Sequence, residues 1–153
     1  MDLSNMQISP QASIFINEVI QNNGCLELPA EGTSMYPLIQ KGDVCLFKHC
    51  DISCIKRGDI VLFQNFNNTL ICHRFIKSQI RNNQVEYICK GDTNFGYDKP
   101  FHQDKVIGKL ASIRKGKVNI NATNTFLLMW GKIILFFPFV TTILRIYLNS
   151  KDQ

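Results

Sequence analysis

From residue 25 to about residue 115, apolar and polar positions alternate with period two, the pattern of strands that bury one face. The alternation predicts strands at 25–28, 43–48, 59–64, 69–78, 84–90 and 104–114. They are separated by the turn signals Lys41-Gly42-Asp43, Arg57-Gly58-Asp59, Asn67-Asn68 and Asn82-Asn83. Ahead of them, Ser9-Pro10 reads as an N-cap followed by proline at the first helical position, and Gly24 as a C-terminal stop. Residues 10–23 are therefore predicted to be helical, with Phe15, Ile16, Val19 and Ile20 on the apolar side. Many short strands with turns between them argue for a mainly β domain of coiled antiparallel sheets, barrel-like in form. No internal repeat and no Pro- or Ser-rich linker divides it.

The period-two pattern ends near Lys117, and a different segment begins. Residues 126–148 form a 23-residue run interrupted only by Lys132, Pro138, two threonines and Arg145. A helix of that length, at about 1.5 Å per residue, just reaches across a hydrocarbon core of about 30 Å. Lys132 inside the run opposes simple spanning, since a central lysine costs about 2.5–3.5 kcal/mol on insertion. Pro138 is placed to divide the segment into two half-helices that dip into a membrane; full spanning and a soluble core helix are the alternatives. The reading is a mainly β domain over residues 1–120 and a hydrophobic, membrane-associated helical segment over 121–153. Lipid is then the expected partner of 126–148.

Composition narrows the classes. The chain has 153 residues, 45% hydrophobic and 19% charged, which suits one domain with its own core and excludes a disordered chain. The net charge of +5 is spread out, with no basic run longer than two residues, so nucleic acid is not an expected partner. Six cysteines occur at 25, 45, 50, 54, 72 and 89, but there is no CxxC pair and no ligand spacing, so no metal and no other cofactor is expected. Several sit in apolar alternation, where a free thiol behaves as a small hydrophobe, and free thiols fit a reducing compartment.

Three places carry possible chemistry. In Gly32-Thr33-Ser34-Met35-Tyr36-Pro37, a serine after a small flexible residue stands at a turn, with hydroxyl and backbone N–H both available; the plain alternative is an ordinary turn serine. His73 lies in the alternating strand Leu70-Ile71-Cys72-His73-Arg74-Phe75-Ile76 and is either a satisfied core residue or a general base. The loop from Gly91 to Asp98 holds two carboxylates, Asp92 and Asp98, that serve either an Asx-rich turn or the orientation of an imidazole. Spacing alone does not bring the three together.

Their order does resemble a known arrangement. Gly32 to Leu38 with Gly42-Asp43 resembles the catalytic-serine box of the signal peptidase I and LexA-type serine peptidase superfamily. Arg57-Gly58-Asp59 through Phe63 looks like the next box. Cys72-His73-Arg74-Phe75-Ile76 is similar to the box that follows, in its archaeal and endoplasmic-reticulum form, where histidine replaces the bacterial lysine. Lys90 to Asp98, then Val106-Ile107-Gly108-Lys109, resembles the last box. The resemblance covers about residues 30–110. It implies a serine endopeptidase on a coiled β-sheet domain that cleaves signal or leader peptides. Ser34 is then the nucleophile and His73 its base. Asp98 is the favoured carboxylate behind the histidine, with Asp92 the second candidate. Gly32, Thr33 and Met35 fall at the oxyanion and substrate-binding positions, and the N–H of Ser34 is one oxyanion donor.

There are departures from the family. Bacterial members carry a serine two residues before the nucleophile, whose hydroxyl joins the oxyanion hole; here that position is Gly32. Residues 1–30 hold no apolar run long enough for the family's usual N-terminal anchor, so the catalytic unit is expected on the cytoplasmic side, with leader peptides a better substrate than exported signals. A LexA-type repressor would need a lysine where His73 stands and a DNA-binding domain ahead of it. The competing class is a peptidase-like module that binds a leader peptide or a membrane partner but cuts weakly.

Overall fold

The structure, a computed structural model, describes residues 6–151. In chain order it runs β1 (Met6–Gln7), α1 (Pro10–Asn23), β2 (Cys25–Pro29), β3 (Val44–Lys48), β4 (Ile60–Gln64), β5 (Thr69–Arg81), β6 (Gln84–Lys90), β7 (Val106–Lys115), β8 (Val118–Asn121), α2 (Thr125–Phe136) and α3 (Pro138–Lys151). The fold is mainly antiparallel β with three helices. The sheet path is β1-β5-β4-β7-β3-β2, with β6 on β5 and β8 on β7. β1 and β2 end the path without pairing to each other, so the sheet is open among the described residues.

Local sequence explains the boundaries. The Ser9 hydroxyl accepts from the Ala12 N–H at 3.2 Å, Pro10 opens α1, and Gly24 closes it in the left-handed region at φ 72°. The two Gly-Asp turns repeat one device. Gly42 (φ 90°) and Gly58 (φ 98°) take conformations that side chains resist. The following carboxylates then accept from backbone N–H groups three residues back: Asp43 from Gln40 at 2.8 Å and Asp59 from Lys56 at 2.7 Å.

Helix α1 lies over β7. Ile20 is fully buried, and a side chain at Gly108 would come within 2.8 Å of its methyl group. Phe15, expected on the apolar side, is instead 65% exposed. Ile16 and Ile20, four apart, point down together, and Phe15 is turned about 100° away from Ile16. One core gathers Ile20, Phe47, Leu62, Leu110, Ile113 and Leu127. A second gathers Val61, Phe63, Ile71, Phe75 and Phe101, with Phe63 stacked on Phe101 at 4.0 Å.

The C-terminal run is broken at Pro138 as its position predicts, and α2 and α3 meet at a bend of 102°. Among the described residues, no single helix is long and apolar enough to cross a membrane; the pair passes that test only together.

Candidate active site

Three separate segments meet at one point. Ser34 lies in the turn between β2 and β3, His73 in β5, and Asp98 in the loop after β6. His73 Nε2 lies 3.0 Å from Ser34 Oγ, and His73 Nδ1 lies 2.7 Å from Asp98 Oδ2. An ionised carboxylate only accepts, so Nδ1 carries the proton and donates to Asp98. That leaves Nε2 free to accept from the Ser34 hydroxyl. His73 and Ser34 are buried, while the Asp98 side chain keeps 15% exposure. Phe63 meets the imidazole edge-on at 6.5 Å between ring centres.

Of the two carboxylates, Asp98 meets the imidazole and Asp92 does not. Asp92 is fully buried and grips Arg74 in a two-pronged pair, Nε to Oδ1 at 2.8 Å and Nη2 to Oδ2 at 2.7 Å. Arg74 also donates to the Gly58 carbonyl at 2.8 Å. The indole of Trp130, on α2, donates to Asp92 Oδ2 at 3.0 Å, and the Thr141 hydroxyl, on α3, donates to the Asp92 carbonyl at 3.0 Å. The neighbouring Thr93 fastens the turn that carries Ser34. Its N–H donates to the Ser34 carbonyl at 2.9 Å, and its hydroxyl donates to the Thr33 carbonyl at 3.2 Å. Tyr147 of α3 stacks on Tyr36, two residues beyond Ser34, at 5.9 Å between ring centres. The helical segment is thus joined to the loop that holds this turn.

No family model matches this chain, and no curated protein does. The reading of the site rests on its own residues.

The Ser34 N–H donates to no protein carbonyl among the described residues, so it is free for an oxyanion. Gly32 contributes no hydroxyl there, and Thr33 is exposed. Met35 is buried and helps to wall a hollow of about 80 Å³ beside Ser34, together with Ala30, Ile39, Leu62, Leu70 and Cys72. That volume suits a side chain no larger than a few atoms. Cys72 adjoins His73 in sequence but does not compete as a nucleophile. Burial pushes its thiol well above the usual cysteine range, and the Cys45 thiol is pushed up to about 12 for the same reason. Among the described residues, no group of three or more His, Cys, Asp or Glu side chains is placed to hold a metal ion. His49 and His102 stand outside the triad; His102 Nδ1 donates to the Val85 carbonyl at 3.3 Å.

Beside Ser34 and Asp98, the described pairing of β5 changes partners. On the side away from β4, strand β5 pairs with β1 at Thr69 and Leu70 and with β6 from Arg74 onward. Ile71, Cys72 and His73 have no strand neighbour on that side among the described residues.

Gly91 completes the geometry from behind the histidine. A side chain on it would come within 3.0 Å of His73 Nε2 and 2.8 Å of the Asn94 amide nitrogen. Gly91→Ala is therefore expected to displace the ring by a few tenths of an ångström and to lower kcat, by less than the about 100-fold that a full ångström costs. Steady-state kinetics beside a thermal melt checks this. Unchanged kcat would show that the imidazole position tolerates the methyl group.

Proposed function

We propose that the chain is a serine endopeptidase that cleaves signal or leader peptides, with a coiled β-sheet catalytic domain similar to that of the signal peptidase I and LexA-type superfamily. The observation that carries the proposal is the Ser34–His73–Asp98 relay, with contacts of 3.0 and 2.7 Å.

The chemistry follows from the proton positions. Ser34 Oγ attacks the scissile carbonyl carbon while His73 Nε2 takes its proton. The oxyanion accepts from the Ser34 N–H. The imidazolium, steadied by Asp98, gives its proton to the leaving amine, and the acyl group stays on Ser34 as an ester. Water then attacks the ester, His73 takes the proton from that water, and Ser34 Oγ leaves with it.

The small hollow beside Ser34 sets specificity. An extended substrate beside Ser34 places alternate side chains toward the protein, so the first and third residues before the cut are expected to be small, as in the A-x-A pattern. A peptide library scored by mass spectrometry tests the proposal. Preference for Ala, Gly or Ser at those two positions is the expected result. Preference for bulky or charged residues would overturn the assignment of substrate class.

The membrane part of the proposal rests on α2 and α3. Phe126, Leu128, Met129, Phe136, Phe139 and Ile146 are all more than half exposed, far more apolar surface than isolated positions would give. We place these helices against lipid and the catalytic domain on the cytoplasmic side, where the six unpaired cysteines fit a reducing compartment. Gly32 favours a second reading, a leader-binding module that cuts slowly, because it leaves the oxyanion with one donor fewer than a serine there would supply.

A further inference from the structure

Between α2 and the strands it crosses lies a groove of about 520 Å³. Its lining includes the leucines Leu38, Leu110, Leu127, Leu128 and Leu135. It also includes five cations: Lys48, Arg57, Arg74, Lys109 and Lys132. A single carboxylate, Asp59, lines the groove, and it is already held by Lys109 at 2.8 Å. Arg74 is spoken for by Asp92. Lys48, Arg57 and Lys132 are exposed and have no acidic partner among the described residues. Lys48 also stands directly opposite Lys109 in the β3–β7 register, where like charges repel.

We propose that this groove holds the head group of an anionic phospholipid, with its acyl chains leaving along α2. A phosphate oxygen accepts from ammonium and guanidinium donors, and the three unpaired cations supply them from β3, the β3–β4 connection and α2. The lining leucines have no use for a free anion, but they suit acyl chains. Leu128 joins the two regions, lining the groove while 54% exposed on the same helix as Phe126, Met129 and Phe136. The inference rests on the membrane reading of α2 and α3 and makes it specific: the two helices supply apolar adsorption, and the groove supplies selectivity for negative lipid.

The test is co-sedimentation of the full-length protein with phosphatidylcholine vesicles, with and without phosphatidylglycerol. The groove variant is Lys48→Ala/Arg57→Ala/Lys132→Ala. The control Lys41→Ala/Lys77→Ala/Lys117→Ala removes the same charge from exposed lysines outside the groove. A cation near an anionic leaflet is worth about fivefold in partition, so the groove variant is expected to lose about 100-fold on phosphatidylglycerol vesicles. The control is expected to lose far less, and binding to phosphatidylcholine alone is expected to be equal for all three proteins. Equal losses in groove variant and control, or no preference of the wild type for phosphatidylglycerol, would overturn the lipid site while leaving membrane adsorption standing. Binding to neither vesicle would overturn the membrane reading and the site with it. Inorganic phosphate alone is expected to leave the melting temperature unchanged. A rise in the wild type that is absent in the groove variant would make this a free-anion site and overturn the lipid assignment.

Discussion

Ser34→Ala and His73→Ala are each expected to lower kcat/KM on a leader peptide by about 10⁴-fold or more, with the double variant scarcely worse than either single one. The two side chains act as one unit. Without the hydroxyl the base has no proton to take, and without the base the hydroxyl stays a weak nucleophile. Asp98→Ala belongs to the same series. It removes the acceptor at 2.7 Å that fixes the Nδ1 proton, and so releases the imidazole into the wrong tautomer and orientation. All three changes should leave the melting temperature close to that of wild type, since none strands a buried charge. Progress curves on a synthetic precursor provide the check. Full activity in Ser34→Ala or His73→Ala is incompatible with the relay.

Asp92→Ala should do the opposite, with its largest effect on stability. The carboxylate is fully buried and answers both prongs of Arg74 as well as the Trp130 indole. Removing it leaves a buried guanidinium without its counter-charge, a loss of about 3–5 kcal/mol. For a chain of this size that corresponds to a fall in melting temperature on the order of 10 °C. Arg74→Met in the Asp92→Ala background should recover part of the loss, because no unpaired charge then remains. Calorimetry on the single and double variants distinguishes the roles of the two carboxylates. If Asp92→Ala melts with wild type while Asp98→Ala unfolds early, the roles of Asp92 and Asp98 are reversed.

Much of the fold is legible in the sequence, for identifiable reasons. Helix α1 is announced by Ser9, Pro10 and Gly24, and each does the expected job at its end. β3 is legible because its alternation follows burial, whereas β4 is buried at all five positions and is legible from its apolar run Ile60-Val61-Leu62-Phe63 after a Gly-Asp turn. The starts of β3 and β4 fall one residue later than expected, because Asp43 and Asp59 turn back to cap the preceding turns. The start of β7 is later still, because Gln103–Lys105 form a short 3-10 turn. β8 escapes the alternation because three of its four residues are exposed and half of them are asparagine. β1 offers only two residues to read.

The site divides in the same way. Ser34, His73 and Asp98 lie 39 and 25 residues apart, so no local pattern joins them, and only the resemblance of the motifs in order brings them together. The tie through Asp92 is illegible. Trp130 reads as one more apolar residue in an apolar run, and Thr141 as an interruption of it, yet both donate to the residue after Gly91. Periodicity reports which face is buried, but it does not report which buried polar groups find each other.

The central claim is that Ser34 is a hydroxyl activated by His73. A fluorophosphonate probe followed by peptide mapping measures this without knowledge of the natural substrate. Wild type should take up one label, on Ser34; Ser34→Ala should take up none, and His73→Ala should label far more slowly. Absence of labelling in wild type, or a label at any other residue, would contradict the account.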